Sequence, residues 1–470
     1  ATGVGQADLA VLIGGYGLQS DAGLVSNDYY AYKHYAVVYN VCMRFIDRKR
    51  EIERLRRGLS RDSAWLCVLW GRRRIGKSRL LLEWLKETGG VYFVADQSAG
   101  PLQRSYFAAT VATRFPGFAD VDYPDWRSVL DRLAAEARTC NWSGPLVIDE
   151  FPYLVKSDST LPSVLQNWVD NAARETGLKL LLSGSSQQMM QGLVLDAAAP
   201  LFGRASESFV LKSLPPGAIG AALNLPRARD MVAAYAVWGG TPRYWELAEP
   251  FGADVDVAVD ALVLDPLGPL HEEPDRLLQD EAPSAAALRP LLDVIGSGAH
   301  RVSEIAGRIG RPATSLTRPI GRLQELGLVR RETPFGFLER SSKRALYMLD
   351  DPFIRMWTRV VAPHRSLLAA APENARAALW SRHRQSLRAQ AWEELCRRSV
   401  PSLSTIPPGI VWNPAQRYWK WNEPELDVVT DSTDGAHLLL GEVKWSDAPS
   451  TAGEIRSIYQ RLISKEIGRA

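Results

Sequence analysis

The sequence is poor in the residues that build metal centres and disulfide frameworks. Its four cysteines (Cys42, Cys67, Cys140 and Cys396) are far apart and form no CxxC pair, and its six histidines are scattered. That excludes a zinc finger or ribbon and a disulfide-stapled scaffold, and it fits a reducing, cytoplasmic setting. Long apolar runs are missing too. None approaches the roughly 18–20 residues that a membrane helix needs, so no membrane partner is expected. Charge of one sign is not in excess: 56 Lys and Arg stand against 53 Asp and Glu, a net +3 that by itself selects no partner. Internal repeats and low-complexity tracts are also absent.

What is present is length and apolar content. With 470 residues at 46% hydrophobic, the chain can bury several cores, enough for two to four domains. Residues 1–42 are nearly uncharged and lack the basic start of a secretory signal. Met43 stands just before the first strongly patterned segment, so 1–42 is read as an N-terminal extension upstream of a natural start. From Ser63 to Leu214, short apolar runs alternate with helical periodicity, the pattern of a parallel sheet covered on both faces. Strands are expected at Trp65–Trp70, Val91–Ala95, Leu146–Ile148, Leu178–Ser183 and Ser208–Leu211. Helices are expected at Ser78–Thr88, Leu102–Arg114, Trp126–Arg138 and Leu161–Glu175.

The sharpest motif is Gly71-Arg72-Arg73-Arg74-Ile75-Gly76-Lys77-Ser78, a full G-x-x-x-x-G-K-[ST] phosphate-binding loop between an apolar strand and the helix opened by Arg79. Glycines let the backbone curl so that N–H groups face phosphate oxygens, and the helix N-terminus adds partial positive charge. Lys77 is expected at the β- and γ-phosphates and Ser78 on Mg²⁺, so ATP and Mg²⁺ are the expected cofactors. A second apolar strand ends in Asp149-Glu150, which places Asp149 to hold Mg²⁺ and Glu150 to polarise the attacking water. A third ends in Ser183-Gly184-Ser185-Ser186, where Ser183 or Ser185 serves as a sensor or the segment is an ordinary turn. Arg204 is either an arginine finger or a solvated surface residue.

These residues resemble the archaeal-type AAA-like ATPases, DEXX-box P-loop proteins related to the signal-transduction ATPases with numerous domains. The resemblance covers about 43–470. It rests on Phe45-Ile46-Asp47-Arg48 with Glu51, the phosphate loop, Asp149-Glu150-Phe151, Ser183-Gly184-Ser185-Ser186, Phe202-Gly203-Arg204 and Gly239-Gly240-Thr241-Pro242-Arg243-Tyr244. It implies that Arg48, Glu51 and Pro242 line the nucleotide pocket, and it strengthens Arg204 as a finger. The x positions of such loops tolerate many residues, so three arginines there are compatible with the pattern.

Further along, 286–298, Arg301–Ile309 and Thr314–Leu326 read as three helices. Arg330–Leu349 reads as a hairpin with Pro334-Phe335-Gly336 at its tip, completing a winged helix-turn-helix. Arg301, Arg308, Arg311, Arg318, Arg322, Arg330, Arg331, Arg340, Lys343 and Arg344 outnumber Glu304, Glu325, Glu332 and Glu339, the footprint of a duplex-DNA binder. Arg318 and Arg322, one turn apart, are candidates for phosphate or base contact. Winged helices also serve as protein-interaction modules and ATPase lids, which leaves that reading open.

The C-terminal signal is Asp427, then Glu442-Val443-Lys444 fifteen residues on. A carboxylate on one strand and Glu-x-Lys on the next is the pattern of PD-(D/E)XK nucleases, and period two puts Glu442 and Lys444 on one face. Asp427 and Glu442 would hold Mg²⁺, with Lys444 orienting the attacking water and Glu393 or Glu394 as an added helical carboxylate. With Arg417-Tyr418-Trp419 ahead of it, the segment resembles the restriction-endonuclease-like domain often fused to these ATPases. Trp412, Tyr418, Trp419 and Trp421 are read as core packing before base stacking.

The expected fold class is α/β. It comprises a P-loop NTPase parallel sheet (43–214), a helical lid (215–280), a winged helix-turn-helix (281–350), a helical connector (351–389) and a restriction-endonuclease-like α/β domain (390–470). The expected function is an ATP-hydrolysing switch coupled to DNA binding and metal-dependent DNA cleavage, with homo-oligomerisation compatible with a finger at Arg204. The alternative is a nucleotide-driven scaffold with an inert nuclease-like domain. A peptide-remodelling ring is disfavoured, because no pore-loop segment is found.

Overall fold

A computed structural model of the protein describes residues 44–185, 187–194, 199–281, 287–337, 344–403, 409–419 and 425–463. The expectations for 1–42, Ser186, Glu339, Arg340, Lys343 and Trp421 lie outside the described residues.

Five strands, β1 (Trp65–Trp70), β2 (Val91–Val94), β3 (Leu146–Asp149), β4 (Lys179–Gly184) and β5 (Glu207–Val210), form one sheet in the order β2-β3-β4-β1-β5. Every pair is parallel. Both faces are covered, which is why β1 is buried along its whole length and reads as an unbroken apolar run. Alternation still sorts its side chains. Leu66, Val68 and Trp70 join Phe93, Phe107, Trp126 and Leu133 on one face, and Cys67 and Leu69 join Leu55, Leu80 and Trp84 on the other. The helices concerned are α1 (Lys49–Leu59), α2 (Lys77–Thr88), α3 (Gly100–Ala112) and α4 (Trp126–Thr139). The register Trp65↔Lys179 to Trp70↔Gly184 brings the ends of β1 and β4 level, with β3 beside them.

Two expectations here are corrected. The helix read as Leu161–Glu175 is broken at Asn171 into α6 (Leu161–Asp170) and a short turn of helix, Ala172–Thr176. The Asn171 amide donates to Asn167 O at 2.8 Å, offering the backbone an alternative to the helical ladder. A helix not expected, α5 (Phe151–Ser157), starts directly after Glu150, with Pro152 in its first turn where a missing N–H costs nothing.

The next part of the chain is helical, with one core running from Leu214 to Leu387. It takes in α7 (Ala228–Trp238), α8 (Pro242–Ala248), α9 (Glu273–Glu281), α10 (Arg289–Gly296), α11 (Val302–Ile309), α12 (Thr317–Glu325), α13 (Pro352–Val360) and part of α14 (Glu373–Ser399). The segments read as lid, winged helix and connector therefore share packing. Strands β6 (Val329–Glu332) and β7 (Leu346–Leu349) pair antiparallel after α12. The third helix begins later than expected, because Ala313–Leu316 is a 3₁₀ turn. The last strands, β8 (Gln416–Tyr418), β9 (Leu426–Asp431) and β10 (Leu438–Gly441), form an antiparallel sheet in the order β10-β9-β8, followed by α15 (Ala452–Ile463).

Candidate nucleotide site

The phosphate loop leaves β1 at the edge where β3 and β4 also end. Gly71 passes so close to Leu211 that a Cβ there would stand 2.6 Å from the Leu211 carbonyl oxygen. Gly76 has φ +90 and caps the start of α2, a conformation open to glycine at no steric cost. A twelve-residue helix thus points its free N–H groups at the loop's concave side. The Lys77 ammonium lies back across the loop, donating to Gly71 O at 2.8 Å and Ser185 Oγ at 2.9 Å. Ser78 Oγ donates to Asp149 Oδ2 at 2.6 Å.

Glu150 sits at φ +53, in the turn between β3 and α5. This uncommon backbone swings its carboxylate toward the end of β4, where Ser185 donates to it through Oγ at 2.5 Å and through its N–H at 3.2 Å. Lys77, Ser185 and Glu150 therefore form one hydrogen-bonded chain across the ends of β1, β4 and β3. The donor set fits Mg²⁺ and a triphosphate: a hydroxyl touching a carboxylate for the ion, a glycine-lined cradle and one ammonium for the anion.

The flanking residues also converge. Arg48 is buried; its guanidinium donates to Ile75 O at 2.9 Å and pairs with Glu51 at 3.1 Å. Burial pulls the Arg48 guanidinium below its ordinary pKa, and Glu51 opposes that shift. Pro242 Cγ is 3.6 Å from where a Cβ on Gly76 would stand, and Arg79 is half-buried on the first turn of α2.

The three loop arginines are not the indifferent positions that the sequence suggested. Arg72 donates to Thr241 Oγ1 at 2.9 Å and pairs with Asp351 Oδ2 at 2.6 Å. Arg73 donates to the Tyr153 hydroxyl at 2.7 Å, and Arg74 pairs with the fully buried Glu273. Glu273 also accepts from Tyr244 at 2.9 Å, and burial pushes the Tyr244 phenol well up. Sequence reading missed Asp351, Glu273, Tyr153 and Tyr92. The available signal was Asp351-Pro352, an N-cap residue followed by proline at the start of α13.

Arg204 does not reach this chain's own loop. It is bound to Asp170 at 2.8 Å, and both border a cavity lined by Ser63, Ala64 and Trp65, at the opposite end of β1. Six strand residues, about 20 Å, separate the two ends.

The C-terminal expectation is corrected in part. β10 ends at Gly441, so Glu442 and Lys444 lie beyond the strand rather than on it. There the Val443 N–H donates to Asp427 Oδ2 at 2.8 Å, turning the chain onto a side chain in place of a ladder partner. Glu442 is paired with Lys444 at 2.7 Å and Arg461 at 2.8 Å. Glu394 is buried between Arg355 and Arg330, each at 2.7 Å, whereas Glu393 is the carboxylate near Asp427. Burial, then the Asp427 charge, raises the Glu393 pKa. Among the described residues, no group of three or more His, Cys, Asp or Glu side chains is arranged to hold a metal ion. No helix of the described residues is long and apolar enough to cross a membrane.

The parallel sheet and the loop with its acidic strand define a P-loop ATPase. Residues 45–247 match the model of an ATPase domain found predominantly in archaea, and 357–458 match a family described as archaeal and bacterial proteins of unknown function. An uncharacterised protein of Methanocaldococcus jannaschii is 26% identical over 429 residues, 90% of this chain and 91% of that protein. The Walker-type ATPase of Pyrococcus abyssi shares the fold at TM-score 0.53 and 19% identity, over 67% of this chain and 96% of that one. The Aeropyrum pernix ORC2 protein superposes at TM-score 0.43 and 14% identity, over 74% and 97%.

Proposed function

We propose that this ATPase is a switch whose nucleotide state is passed to a DNA-binding winged helix and a nuclease-like C-terminal domain. Lys77 and the loop N–H groups hold the phosphates, and Ser78 and Asp149 hold Mg²⁺, which neutralises phosphate charge when bound. Glu150 takes the proton of the attacking water, with Ser185 keeping its carboxylate in line. Arg48, Glu51 and Pro242 border the base. In this reading α10, α11 and α12 with β6 and β7 make the winged helix, and exposed Arg301, Arg308, Arg311 and Arg318 meet phosphates. Arg322 and Arg330 leave the expected set, since both are half-buried, Arg322 against Glu325 and Arg330 against Glu332, Asp350 and Glu394.

The carrying observation is the Arg72–Asp351 ion pair, which ties the phosphate loop to the residue two beyond the end of β7 that caps α13. A shift of the loop on nucleotide binding is thereby felt at the end of the hairpin. The test is duplex-DNA affinity, by fluorescence anisotropy, in a non-hydrolysable ATP analogue and in ADP. The affinities should differ by about fivefold or more in the native protein and converge in Asp351→Asn. Equal affinities in the native protein would refute the switch.

A second reading, an inert nuclease-like fold within a nucleotide-driven scaffold, is favoured by the two cations on Glu442. Plasmid and linear DNA incubated with Mg²⁺ or Mn²⁺ and ATP separate the readings. Cleavage lost in Glu442→Ala/Lys444→Ala supports a nuclease; no nicking under either metal, with ATP turnover intact, supports the scaffold.

A further inference from the structure

Asp149 is 1% exposed, so its carboxylate must be satisfied by donors inside the protein. Its two oxygens are treated differently. Oδ2 accepts from Ser78 Oγ at 2.6 Å and from the Tyr92 hydroxyl at 2.7 Å, and Oδ1 accepts from the Glu150 N–H at 3.0 Å. Of these three donors, Ser78 belongs to the phosphate loop and Glu150 adjoins Asp149 in the chain. Only Tyr92 comes from a separate strand.

The sheet explains how it gets there. Strand β2 pairs with β3 so that Tyr92 lies opposite Val147 and Val94 opposite Asp149. With a period of two, Tyr92 and Val94 share a face, which directs the long phenol along the sheet toward Asp149. The ring packs on the core between the sheet and α1 and α2. Its hydroxyl is thus placed by the sheet, independently of the loop.

We infer that Tyr92 is a positioning residue for Asp149, the carboxylate that would hold the metal: its hydroxyl fixes the rotation of Asp149 and, with the Ser78 hydroxyl, occupies Oδ2. A carboxylate oxygen offers about two lone-pair sites, and two hydroxyls fill those of Oδ2. The acceptor capacity that remains is then on Oδ1, beside the start of the turn that carries Glu150. Without the phenol, Asp149 keeps its bond to Ser78 yet is free to rotate about it. A phenylalanine would fill the same core space, so the hydroxyl alone carries the role.

The test is ATP binding by the full chain, measured calorimetrically in millimolar Mg²⁺ and in EDTA. Tyr92→Phe should shrink the gain in affinity that Mg²⁺ confers by about tenfold, the usual effect of losing an outer-shell partner, with affinity in EDTA unchanged. An unaltered gain, or an equal loss with and without Mg²⁺, would overturn the inference, because packing alone predicts one or the other. If the native protein itself gains nothing from Mg²⁺, the magnesium reading of Ser78 and Asp149 fails, and this inference with it.

Discussion

Arg72, in the phosphate loop, and Asp351, at the head of α13, form a 2.6 Å ion pair in which both side chains are 6% exposed. The arrangement divides the Asp351 carboxylate. Oδ1 accepts from the N–H groups of Phe353 and Ile354 at 2.8 and 3.2 Å, and Oδ2 takes Arg72. One carboxylate thus caps a helix and grips the Gly71–Ser78 loop. Four residues on, Arg355 reaches buried Glu394, which also holds Arg330 of β6.

Breaking a buried pair on one side leaves a charge without its counter-charge, which costs about 3–5 kcal/mol. Arg72→Ala and Asp351→Ala are each expected to lose about that much stability in urea titrations. The double variant should lose clearly less than the sum. Additive losses would mean that the pair is not coupled.

Lys77→Ala is expected to abolish tight Mg·ATP binding, because the loop then lacks its one ammonium. Glu150→Gln should bind ATP normally and turn over about 10²–10⁴-fold more slowly, the usual share of a general base. Steady-state hydrolysis at native rates in Glu150→Gln would show that the base lies elsewhere.

Acid should release the clasp at Glu394. Burial opposes its charge, but Arg355 and Arg330 more than offset this and hold its pKa down to about 2, from 4.5. A depressed folded pKa stabilises above the unfolded value, and that contribution is lost as pH falls from about 4.5 to about 2. Glu394→Gln should be less stable at neutral pH and show a flatter melting-temperature profile across that window.

Arg204 is expected to matter only between subunits. Turnover per subunit in dilute Arg204→Ala should match the native protein, since the residue stands at the far end of β1 from its own loop. Any rise in native turnover with protein concentration should be missing in the variant. A dilute variant slowed by tenfold would contradict this.

On the proposed winged-helix reading, Arg318→Ala should weaken binding to unrelated duplexes about equally and reduce the slope of log affinity against log salt by about one. Weakening confined to one sequence would point to base contact instead.

What the sequence determined by itself is local. The loop from Gly71 to Ser78, the carboxylates ending β3 and the alternation in β1 are legible because the chemistry or period sits in neighbouring residues. Strand limits came within a residue or two for the same reason. The break at Asn171 was missed because a side-chain hydrogen bond overrode helical periodicity. Beyond that, tertiary structure decided. Arg72, Arg73 and Arg74 look interchangeable in the sequence, and only folding gives each its partner in Asp351, Tyr153 or Glu273. Tyr92 is simply a residue of the expected strand Val91–Ala95 in the sequence, since the carboxylate it holds lies on the next strand. Glu442 and Lys444 carry the spacing of a catalytic pair, yet where the strand ends and which cations surround Glu442 depend on Asp427 and on Arg461 of α15. Distant partners set the charge balance of a buried or half-buried group, and periodicity along the chain carries no record of them.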